Sequence, residues 1–250
     1  METIKRKPLQ GVSNIVRFNW HFYALALALL VAAIAGRRFL NPPVDQYVLL
    51  FAFAALLGMF ISLLVSWYIY DKSDLYSLQF LDGFNIPPGA KLVNINAGFD
   101  ETSAIIQSKY PEATLVVFDF YDPAKHTEVS IERARKAYPP FQGTQQIQTS
   151  TVPLQENSID FIFLILAAHE IRDDAERATF FRQLKNALKP EGKIVVIEHQ
   201  RDFNNFFAYN FGFFHFFSNA TWRKTFAASV LQIESETKHT PFLSLFILKK

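Results

Sequence analysis

The stretch LVNINAGFDETS, at residues 92–103, decides the fold. A strand-like run with a small-residue turn, NAG, leads there into a helix-like run, FDETSAIIQ. A strand that turns at small residues into a helix is how a nucleotide-binding βα unit begins. Such turns commonly carry several glycines, whereas this one carries only Gly98. The stretch therefore predicts an α/β domain, and its ligand must be inferred from the residues around it.

Strand-like and helix-like runs alternate through residues 71–250, which we assign to one α/β domain. Strands are predicted at 91–96, 113–120, 145–149, 159–166 and 193–199, with two more in the tail. Helices are predicted between them, at 101–109, 127–137 and 173–188. This alternation predicts a doubly wound, mainly parallel seven-stranded sheet that binds ligands at the carboxyl ends of its strands.

Two long apolar segments precede that domain. Residues 20–36 contain no charged residue, and neither do residues 47–70. Because a bilayer core needs about 20 apolar residues per helix, we predict a transmembrane helical hairpin over residues 20–70, after a cytoplasmic flank at 1–19. For the first segment two alternatives stay open: a secretory signal, and half of a buried helical hairpin in a soluble protein.

Charge fixes the predicted orientation. The flank before the first span is richer in basic residues than the turn between the spans, and cytoplasmic loops carry such an excess. We therefore expect a multi-pass protein of the inner (cytoplasmic) membrane, with its N-terminus and α/β domain cytoplasmic and the lipid bilayer as partner. The basic residues are Lys5, Arg6, Lys7 and Arg17 before the span, and Arg37 and Arg38 in the turn.

Other partner classes are disfavoured by composition. A net charge of +2 does not suggest a nucleic acid partner. The chain has no cysteine, and its six histidines show no metal-ligand spacing, so no metal site is predicted.

Two features of the first βα unit limit the class of cofactor that it can bind. Asp119 ends the second predicted strand, where an acid holds ribose hydroxyls. The Gly-x-Gly-x-x-Gly pattern of dinucleotide sites is missing, and Asp100 and Glu101 would repel a pyrophosphate. A cofactor with a cationic centre and no phosphate fits better, and S-adenosylmethionine is such a molecule.

Three longer motifs carry a family resemblance. VPLQENSIDFIFLILAAHEI at 152–171, FFRQLKNALKPEGKIVVIEH at 180–199 and TWRKTFAASVLQIESET at 221–237 resemble segments of class I S-adenosylmethionine-dependent methyltransferases. The NAGFD turn is similar to the GAGFD variant of carboxyl-methylating relatives. The resemblance implies that fold, S-adenosylmethionine as cofactor, and a set of cofactor-binding residues. These are Asn94, Asn96, Gly98, Asp119, Gln148 and Thr149.

The chain also departs from the family pattern. Relatives usually have an acid at the position of Asn94, and glycine at the positions of Asn96 and Asp100. The departures leave an alternative open, a non-catalytic, vestigial methyltransferase-fold subunit of a membrane protein complex.

Three residues near the ends of the fourth and fifth strands are candidates for chemistry. His169 follows the fourth strand and is predicted as the catalytic base, although it can equally begin the next helix. His199 and Arg201 follow the fifth strand and are predicted to line the acceptor site. The alternative for Arg201 is a structural ion pair with Glu198.

The segment at 203–217 is unusually aromatic. Its phenylalanines follow helical spacing, and we expect an interfacial helix that turns them inward over the acceptor and its amides toward lipid headgroups. Phe206, Phe207 and Phe211 are accordingly predicted as substrate-binding residues, with a core helix as the alternative. An aromatic lid beside a membrane predicts a lipid-soluble or other hydrophobic acceptor.

Overall fold

A seven-stranded sheet forms the centre of the structure, a computed structural model that describes residues 6–250. Lys5 and the start of the predicted flank lie outside the described residues. The sheet order is β3-β2-β1-β4-β5-β7-β6, and all pairs are parallel except those made by β7. The predicted mainly parallel seven-stranded sheet is confirmed. Its strands are β1 (Lys91–Asn96), β2 (Thr114–Asp119), β3 (Gln145–Gln146), β4 (Ile159–Ile165), β5 (Leu188–His199), β6 (Gln232–Thr240) and β7 (Leu243–Lys249).

Both faces of the sheet are buried. Adjacent residues of one strand point to opposite faces, so Val93 and Ile162 enter one apolar layer while Leu92 and Phe163 enter the other. Burial on both sides explains why β4 and residues 194–197 of β5 are nearly continuous apolar runs. The two asparagines of β1 are buried and hydrogen-bonded. The helices are α1 (Gln10–Gly36), α2 (Val44–Trp67), α3 (Ser103–Lys109), α4 (Val129–Ala137), α5 (Asp174–Ala187), α6 (Phe203–Tyr209) and α7 (Asn219–Ala228).

The order of the strands positions the site. β1 lies between β2 and β4 in the sheet. From β1 the chain adds β2 and β3 on one side, and it then crosses back to add β4 and β5 on the other side. In such sheets the crevice at the carboxyl ends of the strands, at this switch point, is where ligands bind.

The helix α1 has two parts separated by a kink. It begins at Gln10, well before the predicted span, and Asn19 inside it has non-helical angles (φ −111°, ψ 16°). Before the kink, Gly11, Asn14 and Phe18 are buried. A Cβ at Gly11 would lie 2.4 Å from the Cβ of Tyr70, so the close approach requires glycine. Half of the flank predicted as separate from the hairpin is therefore helix packed on the α/β domain.

Two helical stretches are long and apolar enough to cross a membrane. They comprise Gln10–Phe39 and Val44–Lys72, with mean hydropathies of 1.7 and 2.8 in their most apolar windows. Only 6% of each window is buried, which differs from the core helix of a soluble protein. Two such helices are weak evidence of an anchor, since a signal sequence near the N-terminus meets the same criteria of length and composition.

The aromatic segment differs from the predicted single helix. α6 ends at Tyr209 because Asn210 adopts a left-handed φ of 49°, and a 3-10 helix follows over Asn210–His215. Several of its phenylalanines are exposed, Phe211 to 85%, whereas Asn205 is fully buried. We expected the aromatics to face inward and the amides outward, and Phe211 and Asn205 do the opposite. Asn205 is buried because its amide has hydrogen-bond partners inside the domain.

Candidate functional site

A cavity of about 260 Å³ lies at the carboxyl ends of β1, β4 and β5. Its floor comes from the loops after those strands. Its roof comes from the first turns of α1, which contribute Asn14, Ile15 and Phe18, and from Tyr70 and Tyr76 just after α2. The two segments that precede the α/β domain in sequence therefore complete its crevice.

Asn96 closes the loop after β1 upon itself. Its amide nitrogen donates to the Phe118 carbonyl at 3.1 Å, and its amide oxygen accepts from the Gly98 N–H at 3.0 Å. Gly98 has a φ of +100°, and a Cβ there would lie 2.9 Å from the ring of Tyr121. Only glycine fits this position, and the single glycine of the turn is thereby explained.

Asp119 ends β2 with a buried carboxylate. It forms an ion pair with Arg135 of α4 and accepts from the Tyr121 N–H at 2.8 Å. Arg135 also donates to the Gly98 carbonyl at 3.3 Å. A second cavity of about 50 Å³ remains beside Asn96, Gly98 and Asp119, with Arg135 in its wall.

The other predicted cofactor residues line neither of these two cavities. Asn94 donates to the hydroxyls of Thr102 and Ser103 at the start of α3. Gln148 is exposed, and the Thr149 hydroxyl donates to Glu176. The structure therefore brings together Asn96, Gly98 and Asp119 and leaves Asn94, Gln148 and Thr149 in structural contacts.

His169, the predicted base, lies in the cavity wall with both ring nitrogens engaged. Nδ1 is 2.7 Å from Glu198 and Nε2 is 3.3 Å from Glu170. Burial lowers the pKa of His169, but the two carboxylates outweigh burial and raise it to about 10. For Glu170 burial raises the pKa, and hydrogen bonds from His169 and His215 more than offset it, so the net shift is strongly downward.

His199 has the opposite electrostatic character. The Asn205 amide nitrogen donates to Asp202 and to the Phe242 carbonyl, so its oxygen faces His199 Nδ1 at 3.0 Å and accepts from it. Nδ1 therefore carries the hydrogen, and Nε2 accepts from the Tyr70 hydroxyl at 2.9 Å. Burial lowers the pKa of His199 to about 4. His199 is a neutral imidazole in the cavity wall.

The remaining predicted acceptor residues lie elsewhere. Arg201 donates to the carbonyls of Phe214 and Phe216 and so braces the aromatic segment, while Glu198 pairs with His169. The side chains predicted as a lid are exposed and outside the cavity, and Phe216 is the residue of that segment that lines it. Those exposed side chains are Phe206, Phe207 and Phe211.

Several site residues were missed from the sequence. Gly11, Asn14 and Phe18 share one helix face, and their spacing of three and four residues was a usable signal. Tyr70 carries no such signal, since it is 129 residues from its partner His199. Arg135 could not be identified from the sequence either, because an arginine on a helix is most often exposed to solvent.

Comparison with known proteins gives a consistent result. Residues 101–196 match the family model described as a methyltransferase domain. No curated protein sequence shows a significant match. An O-methyltransferase family 2 protein from Planctomyces limnophilus, in complex with apigenin, is 15% identical with a TM-score of 0.50, over 77% of this chain and 60% of that one.

Other solved structures agree. LaPhzM is 18% identical with a TM-score of 0.50, over 83% of this chain and 59% of that one. A SAM-dependent methyltransferase from Aquifex aeolicus is 14% identical with a TM-score of 0.49, over 68% of this chain and 87% of that one. At these identities, the likeness to the two structures with a TM-score of 0.50 shows the fold alone.

The matches support S-adenosylmethionine as the cofactor, and the residues of the crevice fit it. Asp119 stands where an acid holds ribose hydroxyls. One oxygen of Asp100 is buried with no partner among the described residues and can accept a hydrogen bond. Glu101 and Glu170 line the larger cavity, where Glu101 forms an ion pair with Arg6 at 2.6 Å and Glu170 faces His169 at 3.3 Å. A ribose reaches Asp119 only when Arg135 turns away.

Proposed function

Because residues 101–196 form a methyltransferase domain within a class I fold, we propose that the chain is a membrane-anchored S-adenosylmethionine-dependent methyltransferase acting on a hydrophobic acceptor. The acceptor class is a lipid or another lipid-soluble small molecule. One observation carries the proposal: α1 both roofs the cavity and continues as an exposed apolar helix long enough to cross a bilayer.

The start of α1 contacts both the end of α2 and the α/β domain. The Asp71 carboxylate accepts from the N–H groups of Gly11 and Val12 at 2.7 and 2.8 Å. Arg133 donates to the Phe18 carbonyl at 2.6 Å, just before the kink. The start of α1 and the end of α2 therefore lie on the same side, which supports a cytoplasmic N-terminus together with a cytoplasmic α/β domain.

The lining of the cavity suits an apolar acceptor. Phe18 and Phe99 line it, and their ring centres are 5.9 Å apart. Ile15, Leu166 and Phe216 extend this apolar lining. Ligand sites typically combine such surfaces with a few placed polar groups, and His199 and Tyr70 are the polar groups here.

His199 is positioned to take the acceptor proton. Bound S-adenosylmethionine supplies an electrophilic methyl group on a sulfonium sulfur. An acceptor oxygen that took this methyl group, as the carbon–sulfur bond broke and left a neutral thioether, would pass its proton to the Tyr70 oxygen while the Tyr70 proton passed to Nε2 of His199. Asn205 holds the imidazole in the tautomer that leaves this nitrogen free. His169, with both nitrogens engaged, fits the role of base less well than His199.

A second candidate, the non-catalytic subunit of a membrane complex, is favoured by the closed first loop. The Asn96 side chain fills the turn after β1, and Arg135 forms an ion pair with the Asp119 carboxylate that a ribose would need. The two candidates differ in whether the cofactor binds at all.

Methyl-labelled cofactor and a lipid extract test the proposal. Full-length protein in nanodiscs is incubated with cofactor and a neutral-lipid extract of bacterial membranes. We expect label in the organic phase, lost in His199→Gln and kept in Lys224→Gln, a change at a 77% exposed side chain. Label confined to water-soluble acceptors would contradict the hydrophobic acceptor. Calorimetry with no heat at millimolar cofactor would support the non-catalytic subunit.

A further inference from the structure

The geometry points to a binding site for one divalent transition-metal ion, which we propose is held by His169, Glu170 and His215. Nε2 of His169 lies 3.3 Å from Oε1 of Glu170, and Nε2 of His215 lies 3.5 Å from the same oxygen. One ligand atom from each residue lies within 4.8 Å of the others. With metal–ligand bonds of about 2.0–2.2 Å, ligand atoms around a tetrahedral zinc ion lie roughly 3.3 Å apart.

The outer contacts of the two imidazoles match those of metal-bound histidines. A ligating histidine commonly gives its other ring N–H to a carboxylate, which fixes the ring and its tautomer. Nδ1 of His169 is 2.7 Å from the fully buried carboxylate of Glu198. Nδ1 of His215 is 3.4 Å from Glu128. Both Nε2 atoms therefore turn toward Glu170.

The backbone braces the cluster across distant parts of the chain. One nitrogen of Arg172 donates to the His169 carbonyl at 3.0 Å and to the His215 carbonyl at 2.7 Å. Arg201 donates to the carbonyls on either side of His215, those of Phe214 and Phe216. These arginines fix the relative position of the two histidine-bearing segments, so the three ligand groups are held together by contacts outside the cluster.

Ligand type identifies the class of ion. Glu170 faces both imidazoles, while Arg172 and Arg201 bind the backbone carbonyls around them, so the ion is inferred from the ligand atoms and not from net charge. Two imidazole nitrogens and one carboxylate suit zinc or iron(II) better than magnesium or calcium, which prefer oxygen ligands. Three protein ligands also leave a coordination position open, as catalytic zinc sites do.

The open position has a functional consequence that rests on the proposed function. His169 and Glu170 line the larger cavity, on the same wall as His199. An ion there would hold an acceptor oxygen as a Lewis acid and position its lone pair for the methyl carbon. The proton still passes through Tyr70 to His199, so the ion and the proton acceptor are separate groups.

Metal binding is measured without any methyl transfer. Full-length protein in detergent is stripped with a chelator, desalted and titrated with Co²⁺, whose visible spectrum reports coordination, and with Zn²⁺ in competition with a chromophoric chelator. We expect one ion per chain and a tetrahedral Co²⁺ spectrum. His215→Ala and Glu170→Gln should abolish the spectrum, and Glu128→Gln should weaken binding about 10-fold, as loss of an outer partner does.

His239→Ala is the matched control, since this histidine lies in β6 outside the cluster and should bind metal as the parent protein does. Circular dichroism checks the fold of each variant. A parent protein that binds no ion, or ligand variants that bind as well as the parent, would overturn the site. Metal bound as expected in a protein that transfers no methyl group supports the site and contradicts the proposed function instead.

Discussion

The two halves of the crevice differ in how their polar groups are used. On the β1–β2 side, Asn96 and Asp119 are satisfied by the chain itself, through Gly98, Tyr121 and Arg135. On the β4–β5 side, His169 and His199 both lie in the cavity wall, and their pKa values move in opposite directions. In the first half the polar groups are paired with other groups of the chain. In the second half the two histidines have strongly shifted pKa values.

This difference separates binding from chemistry. Strongly perturbed titratable groups in a cleft are candidates for function, and here they gather on one side only. A ligand on the other side must exchange an existing ion pair for its own contacts. Substitutions on the β4–β5 side should therefore change the rate, and those on the β1–β2 side should change cofactor affinity.

The largest effect is expected from His199→Gln. Loss of the proton acceptor should slow methyl transfer to the organic phase by about 10²- to 10⁴-fold, the range for general acid–base catalysis. Cofactor affinity, measured by calorimetry, should stay at the parent value. Equal losses of affinity and rate would mean that His199 binds the cofactor, and would contradict the division between residues for binding and residues for chemistry.

A smaller effect is expected from Asp119→Asn. The ribose contact loses its charge, and hydrogen bonds to charged groups contribute about 1.5–3 kcal/mol. Cofactor affinity should therefore fall by about 10- to 150-fold, with a parent rate at saturating cofactor. Calorimetry gives the affinity, and an unchanged dissociation constant would show that ribose does not bind at the end of β2.

Arg135→Gln should change affinity in the opposite direction. The buried Asp119 is then free before the cofactor arrives, and its partner Arg135 is 33% exposed. If a pair with one partner partly exposed contributes about 1 kcal/mol, binding should tighten by about 5-fold. Arg182→Gln on α5 provides the matched control. Weaker binding in Arg135→Gln would mean that the guanidinium contacts the cofactor.

The smallest effect concerns pH. His199 accepts a proton only when neutral, and with its pKa lowered to about 4 it is neutral throughout the range from pH 7 to 5.5. An ordinary histidine, with a pKa of about 6.5, would lose roughly 10-fold of its neutral form over that range. We expect less than about a 2-fold change in kcat/KM. The charge of His169 lowers the pKa of His199, and the charge of Asp202 raises it. Tyr70 and Tyr209 also pack around the His199 ring. An acid limb near pH 6.5 would contradict the assignment.

Much of the fold could be predicted from the sequence because it depends on local patterns. The apolar run of β4 and the stop after α5 are readable in continuous segments. The site was only partly predictable, because its contacts are long-range. Asp119 was found from its place at a strand end, but its partner Arg135 lies on a helix where nothing local distinguishes it.

The aromatic segment shows where local reasoning failed. Helical spacing predicted one helix over 203–217, yet Asn210 ends it after seven residues. Asn205 was expected outside because amides are usually exposed, but Asp202, Phe242 and His199 give it partners inside. Burial of a polar residue depends on distant partners, and these cannot be read from spacing.

If the hairpin spans a bilayer as proposed, the kink at Asn19 links the crevice to the thickness of that bilayer. An apolar helix in a membrane of unsuitable thickness adjusts by tilting. The part of α1 beyond Asn19 can tilt, but the part before it is fastened by Arg133 at Phe18 and by Asp71 at Gly11. Any angular mismatch is therefore absorbed at one residue or transmitted to the cavity roof. With the hairpin in a bilayer as proposed, lipid chain length would thereby alter the shape of the cavity.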